Sequence, residues 1–397
     1  METPTLFLDL GKPKPTVRQI ADLVKTGGVD ALTEAIRRAD AARYQEVRCR
    51  SALNRVKGMP FEWTLNPYRG CTHGCHYCYA RRYQTQFELG SDDEFASIIL
   101  VKINFVETLR AELDKPSWHG DYVVVGAATD CYQPIEGYYK LTRGSLEALC
   151  ARRNPTGIIT KGPMIVRDKD VLQDITARAD CNVCISVPSV DEDAWRQLEP
   201  GTAHPMQRLR AVRELVDAGI RAGVLMNPIV PGITSKPALL ERTVKAIADH
   251  GAQFVGCNVM FLEGGTRDHF MRWLQQEYPQ LVDGYVQLYA RKYAPAAYRK
   301  EVSSQIAAFN RSTDLSVSAF QSRTIHRRRN EKGQVKPWPS RSNLELQDPE
   351  SRISNPGPKL LSHSVRQMPP GAAQRPPPRS CCREASRGSC WLPSSAG

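Results

Sequence analysis

The chain has 397 residues, of which 41% are hydrophobic and 24% are charged, as is ordinary for a globular protein. It has no run of about 18 or more apolar residues and no basic N-terminal segment followed by a long apolar run, so the sequence predicts neither a membrane partner nor a signal peptide. The net charge of +12 does not indicate a nucleic-acid-binding core, because 15 of the 54 Lys and Arg but only 6 of the 42 Asp and Glu follow residue 310.

Residues 1–58 mix polar and apolar positions and predict an N-terminal helical extension. Apolar spacing indicates helices over 17–24 and 29–47, and an arginine-rich segment over 48–57 then leads into the first strand. We interpret this extension as a helical cap on the main domain.

Residues 59–262 predict the main domain, in which short apolar runs alternate with amphipathic stretches of helix length. The apolar runs cover 63–65, 122–127, 156–160, 183–187, 223–230 and 254–261. The amphipathic stretches cover 101–113, 142–152, 169–178, 207–218 and 238–250. Apolar runs bounded by polar helices are typical of parallel strands with crossover helices, so we predict an α/β fold, a partial TIM-like (β/α)6 barrel. In such barrels the chemistry takes place at the carboxyl ends of the strands.

Beyond the barrel, residues 263–310 predict a C-terminal helical cap with helices over 266–276, 284–289 and 297–309. Residues 311–397 hold 11 of the 28 prolines, three consecutive arginines at 327–329 and almost no apolar periodicity. This composition predicts a disordered tail.

Three cysteines stand close together directly after the first predicted strand: Cys71, Cys75 and Cys78, within NPYRGCTHGCHYCYAR over 66–81. The Cys-x3-Cys-x2-Cys spacing puts three thiolates on one tight loop, where each can bind a different iron of a cubane cluster and leave the fourth iron without a protein ligand. An iron that is open in this way can bind a substrate or a cofactor. The twelve cysteines indicate thiols and metal ligands in a reducing compartment, and we expect a cytoplasmic protein.

A zinc site is the alternative for the same loop. His73 or His76 could join the three cysteines in a Cys3His site. No second Cys or His pair follows at finger or ribbon spacing, which favours the cluster. The corresponding alternative function is a zinc-stabilised nucleic-acid-binding protein whose basic tail binds the nucleic acid.

The cysteine spacing, with the aromatic Tyr77 directly before the third cysteine, resembles the signature of the radical S-adenosylmethionine (SAM) superfamily. Further segments make the chain similar to the bacterial radical SAM proteins related to spore photoproduct lyase, and in particular to an uncharacterised actinobacterial-type branch. These segments are NPYRGC at 66–71, YCYAR at 77–81, TDCYQPIE at 129–136, TK at 160–161 and RD at 167–168. The resemblance to the superfamily covers about residues 61–262.

This resemblance implies an enzyme with two cofactors, a [4Fe–4S] cluster and SAM. In the superfamily the open iron chelates the amino group and the carboxylate of SAM, and reduction of SAM yields a 5′-deoxyadenosyl radical that removes a hydrogen atom. The resemblance also implies an electron donor such as flavodoxin or ferredoxin. Spore photoproduct lyases repair a thymine dimer, so DNA is the favoured substrate, with modification of RNA or of a small molecule as the alternative.

Candidate SAM ligands lie at the predicted strand ends. Lys161 and Ser186 offer the cation and the hydroxyl that the SAM carboxylate requires, and the resemblance implies the same two residues. Arg208 is a second candidate cation or, equally, a solvated helix residue. Thr129 and Asp130 end the second strand, where relatives bind the SAM amino group, although Asp130 could instead cap the next segment.

Two tyrosines flank the third cysteine, and the backbone of Tyr77 and Tyr79 is expected to meet the adenine of SAM. Asn227, on the fifth predicted strand, is placed to reach the ribose. We interpret Lys102 as a solvated helix residue.

Substrate contacts are predicted from the polar pair Gln133 and Glu136, which follow the second strand at the expected barrel mouth. Cys131 is a candidate hydrogen donor, because a thiol has a weak hydrogen, or else a small buried residue. In spore photoproduct lyases the donor cysteine precedes the Thr/Ser-Asp pair, whereas Ala127 and Ala128 stand there in this chain. This departure weakens the expectation of spore photoproduct repair and leaves the expectation of SAM cleavage intact.

Overall fold

The computed structural model describes residues 38–87, 90–311, 313 and 316–317. The predicted helix over 17–24, the first part of the predicted helix over 29–47 and nearly all of the predicted tail lie outside the described residues. Every described residue belongs to one unit of the chain. In the described part of the chain, no helix has both the length and the apolar character needed to cross a membrane.

The described elements are numbered separately for strands and helices in chain order. The strands are β1 (Arg43–Val47), β2 (Leu53–Arg55), β3 (Trp63–Leu65), β4 (Tyr68–Arg69), β5 (Ile98–Lys102), β6 (Val123–Val125), β7 (Thr156–Thr160), β8 (Cys181–Ser186), β9 (Ala222–Ile229), β10 (Phe254–Val259) and β11 (Ser316–Val317). The α-helices are α1 (Asp93–Ser97), α2 (Phe105–Leu113), α3 (Glu136–Tyr139), α4 (Leu141–Ala151), α5 (Lys169–Arg178), α6 (Glu192–Leu198), α7 (Pro205–Asp217), α8 (Pro237–Asp249), α9 (Gly264–Glu277), α10 (Val282–Leu288) and α11 (Ala296–Asn310). Helices of the 3-10 type cover Tyr79–Phe87, Pro163–Asp168 and Pro279–Leu281.

Six parallel strands form the barrel wall, in the order β3, β6, β7, β8, β9 and β10. Each corresponds to one of the short apolar runs of the sequence; all three side chains of β6, for example, are buried. Burial on both faces explains why these runs are continuously apolar and do not alternate with polar residues. Helices connect the successive strands, which confirms the predicted partial TIM-like (β/α)6 barrel.

The wall stays open within the described residues. At one edge β2 pairs antiparallel with β3, and at the other the two-residue strand β11 pairs parallel with β10. The described eight-stranded sheet therefore runs from β2 to β11 without closing on itself. Loops at the carboxyl ends of its strands share one mouth, so they need contacts with one another to stay in place.

A second sheet corrects two predictions. It has the order β1, β5, β4, and β1 pairs parallel with β5. The segment 29–47, predicted as a helix, therefore ends in a strand, and the helix predicted over 101–113 begins only at Phe105, because Val101 and Lys102 belong to β5. Short apolar segments of this kind fit a helix or a strand equally well, and the pairing partner that decides between them is distant along the chain.

The remaining helices lie close to their predicted positions. Helix α5 has the predicted bounds, and the predicted C-terminal cap contains α9, α10 and α11. Helix α7 begins at Pro205, two residues before its predicted start, because proline suits the first helical turn. The Nδ1 of His204 accepts a hydrogen bond from the Met206 amide at 3.1 Å and caps this helix.

Gly126 follows β6 directly and shows how tightly the strand ends are packed. Its φ is +81°, and a Cβ there would lie 2.4 Å from the carbonyl oxygen of Ile159 and 2.7 Å from the Sγ of Cys131. Gly219 has a similar φ of +77°, but no heavy atom lies within 4 Å of its Cβ position. Substitution of either glycine by alanine would therefore strain a left-handed backbone, but only the substitution of Gly126 would also create a steric clash.

We predict that Gly126→Ala lowers the free energy of unfolding by about 2 kcal/mol more than Gly219→Ala, since both substitutions strain the backbone but only the first creates a clash with the main chain. Urea unfolding followed by circular dichroism measures the difference. Equal losses in the two variants would show that the strand ends are packed more loosely than the structure indicates.

Candidate functional site

The three cysteines of the sequence motif lie on the loop that follows β4 and leads into the first 3-10 helix. Backbone hydrogen bonds fold this loop tightly. The amide of Gly74 donates to the carbonyl oxygen of Cys71 at 3.1 Å, and the amide of Cys78 donates to the carbonyl oxygen of Cys75 at 3.2 Å. Cys71 and Cys75 are buried, and Cys78 is half-buried. One short segment therefore presents three thiols to the interior of the barrel mouth.

One buried guanidinium anchors this cysteine loop. Arg81 is only 2% exposed, and its Nε donates to the carbonyl of Cys75 at 3.0 Å while its Nη2 donates to that of Gly74 at 2.7 Å. Its Nη1 donates to the carbonyls of Ser91 at 2.9 Å and Asp92 at 2.8 Å. Arg81 thus ties the middle of the loop to the segment before α1 and places a positive charge beside the thiols.

The donor set of the loop fits an iron–sulfur cluster, because such a cluster takes one thiolate per iron and the loop carries three thiols. Among the described residues, no group of three or more His, Cys, Asp or Glu side chains is placed to hold a single metal ion. Burial raises the pKa of the Cys75 and Cys78 thiols.

The two histidines of the loop have partners of their own. The Nδ1 of His73 lies 3.4 Å from the Oδ2 of Asp130. The ring of His76 stacks on Trp273, and its Nδ1 lies 3.0 Å from the Nε2 of His269. His76 thus faces helix α9, whereas His73 interacts with both Asp130 and Cys71.

Four of the predicted SAM ligands gather around one buried carboxylate, that of Glu199. Arg208 forms an ion pair with Glu199 and donates from its Nη1 to the carbonyl of Ser186 at 2.7 Å. The hydroxyl of Tyr77 also donates to Glu199, and the Nζ of Lys161 lies 5.6 Å from the centre of the Tyr77 ring. The structure therefore brings these four predicted residues together beside the carboxyl ends of β7 and β8.

Charge pairing controls the protonation of this group. Burial alone would raise the pKa of Glu199, but the charges of Arg208 and Lys161 hold it below its usual value. Burial alone would lower the pKa of Lys161, but Cys75 and Glu199 raise it. At neutral pH one carboxylate thus faces two cations, which leaves a positive charge for an anionic ligand group.

The sequence analysis did not identify Glu199 as a site residue. The only indication in the sequence is an acidic residue directly before a Pro-Gly turn.

Buried polar atoms without a hydrogen-bond partner among the described residues include the Oγ1 of Thr72 in the cysteine loop, the Nε of Arg208 and the Oδ1 of Asn227, near the carboxyl end of β9. Arg208 is 0% exposed, which excludes the alternative that it is a solvated helix residue. Buried polar groups are almost always hydrogen-bonded, so a free donor and a free acceptor fit a site that binds a polar ligand.

Asp130 follows β6 as predicted, but the chain itself occupies its carboxylate. Its Oδ1 accepts from the hydroxyl of Thr160 at 2.6 Å and from the amide of Tyr132 at 2.9 Å, and its Oδ2 accepts from the amide of Lys161 at 2.6 Å. Burial alone would raise the pKa of Asp130, but His73 and these donors hold it well below its usual range. In the structure Asp130 therefore positions the loop that carries Lys161.

Two other predicted SAM contacts also bind within the chain. The hydroxyl of Thr129 donates to the carbonyl oxygen of Tyr68 at 2.7 Å. The hydroxyl of Tyr79 donates to the carbonyl oxygen of Ala127. These contacts hold the loop after β6 against the segments on either side of the cysteine loop.

The sequence analysis also did not identify Asn66, whose side chain holds the loop after β6 by two hydrogen bonds. The Oδ1 of Asn66 accepts from the amides of Ala128 at 2.9 Å and Thr129 at 3.3 Å. Lys102, interpreted as a solvated helix residue, lies instead in β5, where its Nζ donates to the carbonyl of Asn66 at 2.7 Å. Burial lowers the pKa of Lys102 to about 8.

The residues predicted to face the substrate lie beneath the barrel mouth. Cys131, Gln133 and Glu136 are each 0% exposed. The Nε2 of Gln133 donates to the carbonyl of Gly70 at 3.2 Å, and its Oε1 accepts from the amide of Thr72 at 3.3 Å. Gln133 thus joins the loop after β6 to the start of the cysteine loop, which is the structural reason for a polar side chain at this position.

Glu136, predicted to contact substrate, is the centre of a buried network of hydrogen bonds within the chain. Its carboxylate accepts from the hydroxyl of Tyr68, from the amide of Thr142 at 3.0 Å and from the Nη2 of Arg167 at 2.9 Å. Burial raises the pKa of Glu136. These donors, all from the chain, leave the carboxylate no open side toward a ligand.

Cys131 packs inside the barrel wall. Its Sγ lies 3.8 Å from the carbonyl oxygen of Ile159 and rests against Gly126. Burial raises the pKa of its thiol well above the usual value. Of the two interpretations of Cys131, the position favours a small buried residue over a hydrogen donor.

The chain is similar in sequence to known proteins. The family model described as the radical SAM superfamily matches residues 65–242. An uncharacterised protein of Mycobacterium tuberculosis is 36% identical over 272 residues, which cover 68% of this chain and 80% of that protein. A protein of Pseudomonas phage M6 named radical SAM Nalpha-GlyT isomerase is 26% identical over 174 residues, which cover 43% of this chain and 33% of the phage protein.

Solved structures of spore photoproduct lyase share the fold. One of them, with bound AdoMet and dinucleoside spore photoproduct, has a TM-score of 0.56 and 15% sequence identity, and the match covers 74% of this chain and 85% of the lyase. A second, complexed with dinucleoside spore photoproduct, has a TM-score of 0.55 and 16% identity over the same shares of both chains. At these identities the likeness establishes a common fold.

We predict that Arg81→Gln loosens the cysteine loop, because glutamine keeps a polar group but reaches fewer of the four carbonyl groups. Amide hydrogen exchange over residues 71–78, measured by mass spectrometry, should accelerate about tenfold or more, since a hydrogen bond from a charged group contributes about 1.5–3 kcal/mol. The control is Arg196→Gln on α6, whose side chain is 61% exposed and pairs with Glu192. An equal acceleration in both variants would contradict the anchoring role of Arg81.

Proposed function

We propose that the chain, which belongs to the radical SAM superfamily and is a radical SAM enzyme, holds a [4Fe–4S] cluster on Cys71, Cys75 and Cys78 and cleaves SAM reductively. The observation that carries this proposal is the position of three thiols of one loop beside a cationic group of residues. Cys75 is close enough to Lys161 and Glu199 for both charges to act on its pKa. The loop supplies three ligands to a cubane cluster, so one iron is left for SAM.

The residues around Glu199 fit the polar parts of SAM. Lys161 would pair with its carboxylate, with the Nε of Arg208 as a second donor. The Oδ1 of Asn227 would accept from a ribose hydroxyl. When bound, the reduced cluster and SAM supply a carbon-centred radical that removes a hydrogen atom from the substrate. The chain contributes burial, which excludes water and strengthens the charge pairing that orients SAM.

DNA is the substrate class that we propose, with repair of a thymine lesion as the reaction. Support comes from the fold shared with spore photoproduct lyase, whose structures hold a dinucleoside spore photoproduct. The proposal does not use Cys131 as hydrogen donor, because that thiol packs inside the wall. We further propose a cytoplasmic enzyme that takes its electron from a donor such as flavodoxin or ferredoxin.

We predict that the protein, reconstituted anaerobically with iron and sulfide, reduced with dithionite and given SAM, forms 5′-deoxyadenosine. Cys75→Ala should abolish the product, because the loop then supplies only two thiolates to the cluster. The control is Cys257→Ala, which removes a half-buried cysteine in β10 and should leave product formation unchanged. Chromatography of the quenched reaction measures the product.

A colourless, zinc-loaded protein that forms no 5′-deoxyadenosine would overturn the proposed function in favour of a zinc-stabilised protein. An oligonucleotide that contains the spore photoproduct tests the substrate separately. Restored thymines would support DNA repair, whereas SAM cleavage without repair would keep the enzyme and direct the search to RNA or a small molecule.

We also predict that Lys161→Gln weakens SAM binding by about tenfold or more, because one charge-assisted hydrogen bond contributes about 1.5–3 kcal/mol. Calorimetric titration of the reconstituted protein with SAM measures the affinity. Lys169→Gln on α5 is the matched control, since Lys169 forms its ion pair with Glu214 on the outside of the barrel. If both variants bind SAM as the wild type does, Lys161 is not a SAM ligand.

A further inference from the structure

Thr72 lies in the cysteine loop directly after Cys71, and its hydroxyl is both buried and unpaired. The side chain is only 1% exposed. Within the part of the chain that the structure describes, its Oγ1 has no hydrogen-bond partner. Buried hydroxyls nearly always have a partner, because an unpaired one loses its bonds to water without replacement. The hydroxyl of Thr72 therefore indicates a partner that the described residues do not supply.

The backbone of Thr72 is held by two neighbouring loops. Its amide donates to the Oε1 of Gln133 at 3.3 Å. Its carbonyl oxygen lies so close to Gly201 that a Cβ on this glycine would clash with it. The amide of Gly201 also donates to the carbonyl oxygen of His73 at 3.0 Å. These contacts restrict the movement of the loop, so the hydroxyl cannot reach a distant partner by a large shift of the backbone.

Several backbone carbonyls of the cysteine loop already accept hydrogen bonds. The carbonyl oxygen of Cys71 accepts from the amide of Gly74 at 3.1 Å. The carbonyl oxygens of Gly74 and Cys75 accept from the side chain of Arg81. Together with the carbonyl of His73, these groups lie on both sides of Thr72 in the chain. The carbonyls next to Thr72 are therefore in use and do not explain its hydroxyl.

The three sulfur atoms are the remaining acceptors that the loop is built to present. Thiolates and cluster sulfides accept hydrogen bonds, and such bonds help to set the reduction potential of an iron–sulfur cluster. The other polar side chain near Cys71 is that of His73, which interacts with this cysteine and lies 3.4 Å from the Oδ2 of Asp130. A sulfur acceptor fits a hydroxyl that has no oxygen or nitrogen partner in the described chain.

We propose that the hydroxyl of Thr72 donates a hydrogen bond to a sulfur of the bound cluster or of its thiolate ligands and thereby raises the reduction potential. This inference rests on the proposed cluster and adds a residue that tunes it. The reduced cluster carries one more negative charge than the oxidised cluster, so a hydrogen-bond donor stabilises the reduced form more strongly. Thr72 thus makes the cluster easier to reduce.

Thr72→Val tests the proposal, because valine is also branched at Cβ but lacks the hydroxyl. The protein is reconstituted with iron and sulfide, and its midpoint potential is measured without SAM by a reductive titration followed by electron paramagnetic resonance. At a fixed potential, the ratio of reduced to oxidised cluster should fall by up to about tenfold, the effect of one hydrogen bond. For one electron a tenfold change corresponds to about 59 mV. Thr72→Ser keeps the hydroxyl and should have the wild-type potential.

Thr156→Val at the start of β7 is the matched control. Thr156 is 0% exposed, and its hydroxyl donates to the carbonyl oxygen of Asn154 at 2.9 Å. This variant should leave the potential unchanged but unfold at a lower urea concentration in the cluster-free protein, since a hydrogen bond between buried groups is lost. Cluster-free Thr72→Val should unfold at the wild-type urea concentration or above it, because it loses no hydrogen bond within the chain.

An unchanged potential in Thr72→Val would overturn the proposal. A loss of stability in cluster-free Thr72→Val as large as that in Thr156→Val would also overturn it, since the hydroxyl would then have a partner in the chain. An unchanged potential with weaker SAM binding would assign the hydroxyl to SAM instead. A protein that takes up no cluster would overturn the proposed function and this inference with it, whereas a bound cluster of equal potential in both variants would overturn this inference alone.

Discussion

A single buried positive charge holds the candidate site together. The guanidinium of Arg81 donates to four carbonyl groups from two separate segments, and these hydrogen bonds fix the middle of the loop that carries the three thiols. Arginine suits this task because its planar fork presents five N–H donors at fixed angles and stays protonated when buried. The charge of Arg81 also lowers the pKa of Cys78, against the larger opposite effect of burial.

The other loops of the barrel mouth are held in place by contacts with neighbouring loops. The described barrel wall is open, so closure of the barrel does not stabilise these loops. Asn66 holds the loop after β6, Asp130 joins that loop to the loop after β7, and the Glu199–Arg208 ion pair reaches the end of β8. Each contact is buried, so the loss of one partner would leave an uncompensated polar group. Several residues that the superfamily resemblance assigns to SAM therefore also hold the loops of the mouth in place.

Positive charge is unevenly distributed over the described residues, and the places where it accumulates are informative. Lys161 and Arg208 exceed the single carboxylate of Glu199 at the thiol site. The net charge of the chain does not reveal this excess, since most of it lies after residue 310. A local excess of positive charge of this kind attracts anionic groups.

Local patterns in the sequence determined the cysteine loop and the six strands of the barrel, because thiol spacing and continuous apolar runs depend on residues that are adjacent in the chain. The sequence also placed Lys161 at a strand end and Arg208 at the start of a helix. Only the tertiary structure decided that 43–47 and 98–102 pair as strands, that Glu136 is enclosed by Tyr68 and Arg167, and that Glu199 joins Arg208 to Tyr77. The physical reason is the same in each case: the hydrogen-bonding partner comes from a distant part of the chain, and a polar residue looks the same in sequence whether it meets a ligand or another loop.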